Sequence, residues 1–211
     1  MKSVATIVKH TWVAQQIAKG AKHFTILDAT NPLPGSPQIA LKDYKEAHIP
    51  GALFFDIDGS CDKSSQFGHT LGTPDAFAKH VGSLGITNDT HVVLYDNLAN
   101  LGVFSAPRAW WMFRLYGHTQ ISILEGGQKN WISEGHDVTT EIPEVEPAEY
   151  TASYNGKLLV EYDEVAANLK DEKFQVMDAR GKPRFEGSSP EPRPGKTFPT
   201  DPILRLAISW Q

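Results

Sequence analysis

Trp12-Val13-Ala14-Gln15-Gln16-Ile17, followed by Phe24-Thr25-Ile26-Leu27-Asp28-Ala29, returns later in the chain as Glu164-Val165-Ala166-Ala167-Asn168-Leu169 and Phe174-Gln175-Val176-Met177-Asp178-Ala179. Each copy reads as a short amphipathic helix feeding an apolar strand that ends in Asp-Ala, so the repeat predicts two like modules in tandem. The first copy runs on to about Trp131. The second has far fewer residues before Gln211, so the expectation is one complete module and one incomplete copy.

Working outward from Phe24 to Leu27, further strands are predicted at Ala52 to Phe55, His91 to Tyr95 and Ile121 to Leu124. They are short apolar runs without clean alternation, as expected of parallel strands covered on both faces. Helical patterns lie between them. His10, Val13, Ala14 and Ile17 share one face, and Phe77, Val81 and Leu84 share another behind the start signal Thr73-Pro74-Asp75. Alternating strands and helices give an α/β sandwich with a mostly parallel central sheet. Glu141-Ile142-Pro143-Glu144-Val145-Glu146-Pro147 is acidic and carries two prolines, which makes residues 141–157 a linker behind a first domain of residues 1–140.

The chain's 211 residues are 40% hydrophobic and carry a formal charge of −5 without Lys/Arg clusters, which argues against nucleic acid or an anionic membrane as partner. Its apolar runs are too short to span a bilayer, and Lys9 and His10 interrupt the run from Val4 to Val8 before it becomes a secretory core. A cytoplasmic protein is the expectation, with the mitochondrion as the alternative. A single cysteine, Cys61, excludes an intrachain disulfide framework and a multi-thiolate metal site, so no metal and no cofactor are expected.

The loop Asp96-Asn97-Leu98-Ala99-Asn100-Leu101-Gly102 joins a buried strand to a helix that opens near Ser105, carries Pro107 in its first turn and ends before Gly117. Such loops bind anions through free backbone N–H groups and the helix dipole, and a cysteine there would be an activated nucleophile. This loop contains no cysteine, and because its acidic Asp96 is expected to oppose an anionic ligand, it is read as a helix-capping connection. The helix itself carries Trp110, Trp111, Met112, Phe113, Leu115 and Tyr116 around most of its circumference, so burial on more than one side is expected, between its sheet and the second module. Arg108 and Arg114 interrupt it and are expected to form structural ion pairs with acidic residues. Cys61 is an unfavourable nucleophile, because Asp58 and Asp62 disfavour a thiolate. A Cys-x5-Arg phosphatase loop is excluded, since Phe67 stands where the arginine would be.

Asp43-Tyr44-Lys45-Glu46-Ala47-His48-Ile49-Pro50-Gly51-Ala52 with Phe54-Phe55-Asp56-Ile57-Asp58 resembles the N-terminal signature of the rhodanese-like sulfurtransferases. Asp62-Lys63-Ser64-Ser65, the helix Ala106-Pro107-Arg108-Ala109-Trp110-Trp111, and Leu124-Glu125-Gly126-Gly127 with Trp131 are similar to the two-domain thiosulfate and 3-mercaptopyruvate sulfurtransferases. The resemblance runs in order from about Val8 to Gly195. Within it, His48 to Ala52 reads as a turn-to-strand device, with proline fixing one dihedral and glycine permitting a tight approach, and His48 as a turn residue with a satisfied ring.

The resemblance implies a rhodanese-like fold and a catalytically silent first module. It implies that a cysteine on the strand-to-helix loop of the second module takes sulfane sulfur from a small anionic donor, carries it as a persulfide and passes it to cyanide or a thiol. The expected position lies roughly seventy residues beyond Asp178, by the spacing from Asp28 to Asp96, so no residue of this chain is assigned as catalytic. In the second module, residues 158–195, the segment Asp178-Ala179-Arg180-Gly181-Lys182-Pro183-Arg184-Phe185 resembles the family's donor-binding stretch, and the resemblance gives that role to Arg184, whose guanidinium suits a carboxylate or thiosulfate. After Pro190-Glu191-Pro192-Arg193-Pro194-Gly195 the likeness ends, leaving residues 196–211 as a divergent tail and truncation as the expectation. Two readings stay open: a sulfurtransferase of the thiosulfate or 3-mercaptopyruvate type, or a non-catalytic remnant that only binds or pairs with another copy.

Overall fold

The computed structural model describes residues 4–65, 68–98 and 101–189 and divides into two compact units, the first ending at Leu158 and the second beginning at Leu159. In the first unit the chain runs β1 (Ile7–Val8), α1 (His10–Ala18), β2 (Phe24–Asp28), α2 (Ala40–Glu46), β3 (Ala52–Phe54), α3 (Pro74–Ser83), β4 (His91–Tyr95), α4 (Ala106–Leu115), β5 (Ile121–Leu124) and α5 (Gly127–Ser133). The five strands form one sheet in the order β1-β5-β4-β2-β3, and every pairing is parallel. Parallel neighbours need crossover connections, and the helices between the strands supply them. β4 is central, with Val92 to Tyr95 wholly enclosed, which explains its unbroken apolar run.

The four strands read from sequence are present. β1 is an addition: it is two residues long, its partner β5 lies more than a hundred residues away, and Lys9 and His10 cut its apolar run short. α3 begins at the predicted signal, with the Thr73 hydroxyl accepting from the Ala76 N–H at 3.2 Å.

His48 is enclosed completely, stacked 4.2 Å from Tyr44, with Nδ1 2.7 Å from the Tyr44 carbonyl and Nε2 3.0 Å from that of Glu141. Gly51 adopts φ +78 with open space where a β-carbon would stand. Its glycine therefore answers to backbone conformation, and the tight approach expected from sequence is absent.

The acidic segment after α5 is fastened along the first unit. Thr139 pairs with His48 through two backbone bonds, Ala148 N–H donates to Gly82 at 2.8 Å, Asn88 and Thr151 exchange two bonds, and Ser153 and Asn155 N–H donate to Tyr116 and Leu115. The Trp111 indole adds a bond from α4 to the Leu158 carbonyl at 2.9 Å, and Phe77 of α3 packs on Phe113 and Tyr116. The arginines of α4 depart from expectation. Arg108 donates to the His69 carbonyl and lies 5.8 Å over Trp111, and Arg114 lies 5.7 Å over Trp110. Aromatic faces and a carbonyl, acceptors that carry no formal charge, stand where carboxylates were expected.

In the second unit, α6 (Tyr162–Asp171) matches the predicted helix and opens on a reciprocal capping box between Glu161 and Glu164. A single turn, α7 (Lys182–Phe185), follows. The strand predicted over Phe174 to Ala179 is not formed. That stretch has no ladder; it is tied at its start by Asn168, whose side chain brackets both backbone groups of Phe174, and Met177 is 74% exposed. A strand exists through its ladder, and the described residues of this unit contain no other strand. Residues 190–195 and the tail 196–211 lie outside the described residues.

Candidate functional site

In the order β1-β5-β4-β2-β3 the connections leave β2 and β4 in opposite directions, so the carboxyl ends of these two neighbours border the crevice where open α/β sheets bind ligands. Asp28 ends β2 in register with Tyr95, and Asp96 follows one residue later. The loop singled out from sequence therefore sits at the switch point; its Ala99 and Asn100 lie outside the described residues.

Asp96 is 2% exposed, and its Oδ2 accepts four hydrogen bonds: from the N–H groups of Phe104 (2.9 Å), Ser105 (2.7 Å) and Ala106 (2.8 Å), and from the Ser105 hydroxyl (3.1 Å). These are the donors left over where α4 opens. Sequence reading took this loop as a helix-capping connection whose acidic Asp96 would oppose an anion in this cradle. The structure shows the side chain bent into the cradle as the anion itself. Gly127, at φ +62, is a close neighbour, since any β-carbon there would fall 2.5 Å from the Asp96 carbonyl, which accepts from the Gln128 N–H.

Asp28 lies beside it. Thr30 caps this carboxylate through both its N–H (2.9 Å) and its hydroxyl, and the same hydroxyl accepts the Asn97 N–H at 2.8 Å, linking the two strand ends. Burial raises the Asp28 carboxyl from 3.8 to about 6, against the lowering effect of the Thr30 and Tyr95 hydrogen bonds. Thr30 was not foreseen, although Asp-x-Thr at a strand end is a recognisable side-chain turn. Gln128 and Gly127 join only through the third dimension.

Cys61 lies elsewhere, in the connection after β3. Its thiol approaches Asp58 Oδ1 at 3.4 Å and the Ile57 carbonyl at 3.5 Å, and burial, then Asp58, pushes it up to about 11. Asp62 is occupied with the N–H and hydroxyl of Ser64. Such a thiol stays protonated at neutral pH and is a poor nucleophile.

Arg184 stands on α7 in the second unit, half-buried, close enough for its charge to help hold Asp178 below the usual carboxylate range; the Arg180 hydrogen bonds are the larger cause. Arg180 clasps Asp178 through Nε and Nη2 at 2.6–3.0 Å. Arg184 and the Asp96 loop belong to different units. Among the described residues no cluster of three or more His, Cys, Asp or Glu side chains could hold a metal ion, and no helix is long and apolar enough to cross a membrane.

Residues 9–134 match the model of the Rhodanese-like domain. The chain is 46% identical over 188 residues to a thiosulfate sulfurtransferase from Cricetulus griseus, covering 88% of this chain and 63% of that protein. It is 39% identical over 191 residues to a 3-mercaptopyruvate sulfurtransferase from Mus musculus, covering 90% and 64%. Among solved structures, SseA from Escherichia coli, a protein of the 3-mercaptopyruvate type whose description names the rhodanese fold, superposes with a TM-score of 0.79 at 33% identity, covering 90% of this chain and 71% of that one. The chain thus spans somewhat less than two thirds of the length of the curated relatives it matches.

Proposed function

The chain belongs to the rhodanese-like domain family, and from that premise we propose that it serves sulfane-sulfur transfer of the thiosulfate or 3-mercaptopyruvate type, with residues 1–140 as the domain that does not itself react. The observation that carries this division of labour is the Asp96 carboxylate, which consumes the anion-binding donors of the switch-point loop and offers no nucleophile there. In the transfer proposed, a cysteine thiolate attacks the outer sulfur of the donor, a persulfide forms as the donor residue leaves with the electron pair, and cyanide or a thiol then removes that sulfur. The donor is small and anionic. Arg184 is the residue proposed to bind it, because a guanidinium pairs two hydrogen bonds with a carboxylate or thiosulfate group.

A second reading has its own support. The chain's single thiol, Cys61, is held protonated by burial and by Asp58, so this polypeptide by itself is proposed to be non-catalytic. Its domains are proposed as a rhodanese-like unit of residues 1–140, a linker of residues 141–157 and a second copy from residue 158, and its compartment as cytoplasmic, with the mitochondrion as the alternative, since a single cysteine suits a reducing milieu.

Incubating the purified chain with thiosulfate and cyanide tests both readings. No thiocyanate and no 32 Da mass gain on Cys61 are expected at neutral pH, while a longer protein that carries this sequence together with a cysteine loop in its second copy turns over and loses donor affinity with Arg184→Ala. Turnover by the present chain that disappears in Cys61→Ser would overturn the non-catalytic reading. Unchanged donor affinity in Arg184→Ala would remove Arg184 from the site.

A further inference from the structure

We propose that Asn155-Gly156 is a self-modifying site: in the folded protein the Asn155 side-chain amide cyclises onto the Gly156 nitrogen and opens to aspartate or isoaspartate, and this change unfastens the end of the segment that follows α5. The inference goes beyond the sulfurtransferase reading and does not depend on it.

Gly156 is the one glycine of this chain that follows an asparagine, and both residues are exposed. Without a β-carbon it leaves the approach to its nitrogen open. It also begins a tight helical turn, Gly156–Leu158, at the position where an N–H has no intrahelical partner, and it donates to no acceptor among the described residues. The Asn155 side chain is folded toward it. Oδ1 accepts the Lys157 N–H at 3.3 Å, which lays the side-chain amide along the Gly156 peptide group. The same N–H faces the oxygen on which negative charge grows when the amide carbon is attacked, so it stabilises the tetrahedral intermediate. The other described asparagines lack this combination. Asn88 and Asn168 are clamped through both side-chain atoms, to Thr151 and Phe174, and Asn31 precedes Pro32, whose nitrogen carries no proton.

The reaction balances with water alone. The Gly156 nitrogen bonds to Asn155 Cγ and gives its proton to solvent, while the amide nitrogen takes up a proton and leaves with the bonding pair as ammonia. Water then opens the succinimide at one of its two carbonyl carbons. Attack at the side-chain carbon gives aspartate. Attack at the main-chain carbon gives isoaspartate, which routes the backbone through the side chain and lengthens it by one methylene.

Both products act on a fastening. Asn155 N–H donates to the Leu115 carbonyl at 2.7 Å, the Asn155 carbonyl accepts from Leu158 at 3.1 Å, and the Leu158 carbonyl accepts the Trp111 indole at 2.9 Å. Leu115 is the last residue of α4, so a new carboxylate at position 155 stands near the negative end of that helix's dipole. The extra methylene of isoaspartate displaces Leu158 relative to Trp111.

Incubating the purified full chain in mildly alkaline buffer, folded and in parallel unfolded in urea, with peptide mapping by mass spectrometry, tests the site. Aspartate and isoaspartate are expected at position 155 in the folded chain at a rate no lower than in urea. Gly156→Ala is expected to slow their formation several-fold with the fold retained, because the added β-carbon meets nothing nearer than the exposed Tyr154 ring at 3.4 Å. The modified chain and Asn155→Asp are each expected to melt about 1–4 °C below the unsubstituted chain. In the isoaspartate form the Trp111 indole resonance is expected to move. Modification at position 155 confined to urea overturns the proposal, and so does a Gly156→Ala chain modified as fast as the unsubstituted one. An isoaspartate form with an unshifted melting temperature and an unmoved Trp111 resonance overturns the unfastening.

Discussion

Phe24-Thr25-Ile26-Leu27-Asp28-Ala29 and Phe174-Gln175-Val176-Met177-Asp178-Ala179 are near-copies in sequence, and their immediate turns are copies in structure. Asp28 Oδ1 accepts the Thr30 N–H at 2.9 Å, and Asp178 Oδ1 accepts the Arg180 N–H at 2.9 Å. Beyond that turn everything differs. The first stretch is a strand between β3 and β4, and burial pushes its aspartate up to about 6. The second has no ladder, and its half-buried aspartate is drawn down by hydrogen bonds from Arg180. Six residues therefore dictate a turn, while the neighbours they meet dictate whether the segment is a strand and which way its acid titrates.

The comparison breaks most visibly at the position before the aspartate. Leu27 is wholly enclosed and its counterpart Met177 is 74% exposed. Leu27→Ala is expected to cost about 2–5 kcal/mol by cavity formation, and Met177→Ala to stay within about 0.5 kcal/mol, as read by urea unfolding. Equal costs would mean that Met177 is packed in solution.

The aspartates give the next largest contrast. Asp28 has a folded-state pKa above its unfolded value, so its contribution to stability is fully present below 3.8 and is lost as pH rises through about 6. The gap corresponds to roughly 3 kcal/mol. Asp28→Asn is expected to remove that fall, so the difference in unfolding free energy between the two proteins should change steadily from pH 3.5 to 7, a range set by those two values. A constant difference would show that Asp28 ionises as it does in water.

How much could be read beforehand follows the same division. The helix-strand periods, the Thr73 cap and the switch-point loop were legible because each is set by residues within a few positions of one another. β1 was not, since a two-residue strand is visible only through β5. The strand expected at Phe174 was over-read, because an apolar run records readiness to pair and says nothing about the presence of a partner. The loop holding Asp96 was read as a helix-capping connection, but the groups it caps could not be named. The donors to Asp96 lie eight to ten residues downstream, and only the folded-back loop reveals that the charge is enclosed by them.

A smaller contrast than that at Asp28 lies at Asp178. Its lowered carboxyl contributes stability above pH 3.8 that is lost as pH falls below it, the reverse of Asp28, but the ion pair with Arg180 is open to salt. Asp178→Asn is expected to change stability by less than about 1 kcal/mol. Its carboxyl carbon resonance should titrate at a lower pH in dilute buffer than in concentrated salt. A salt-independent titration would place the pair out of reach of solvent.

The strand order also fixes a schedule for synthesis on the ribosome. Among the described strands Ile7–Val8 emerges before the others, yet the one it pairs with is Ile121–Leu124, made after the rest of that sheet. At ~5–20 residues per second, the leading segment waits on the order of ten seconds with no edge to join. An early segment is thus among the last to be sewn into the sheet, and nascent-chain lengths that stop short of Leu124 leave Ile7 and Val8 open to whatever binds exposed apolar peptide.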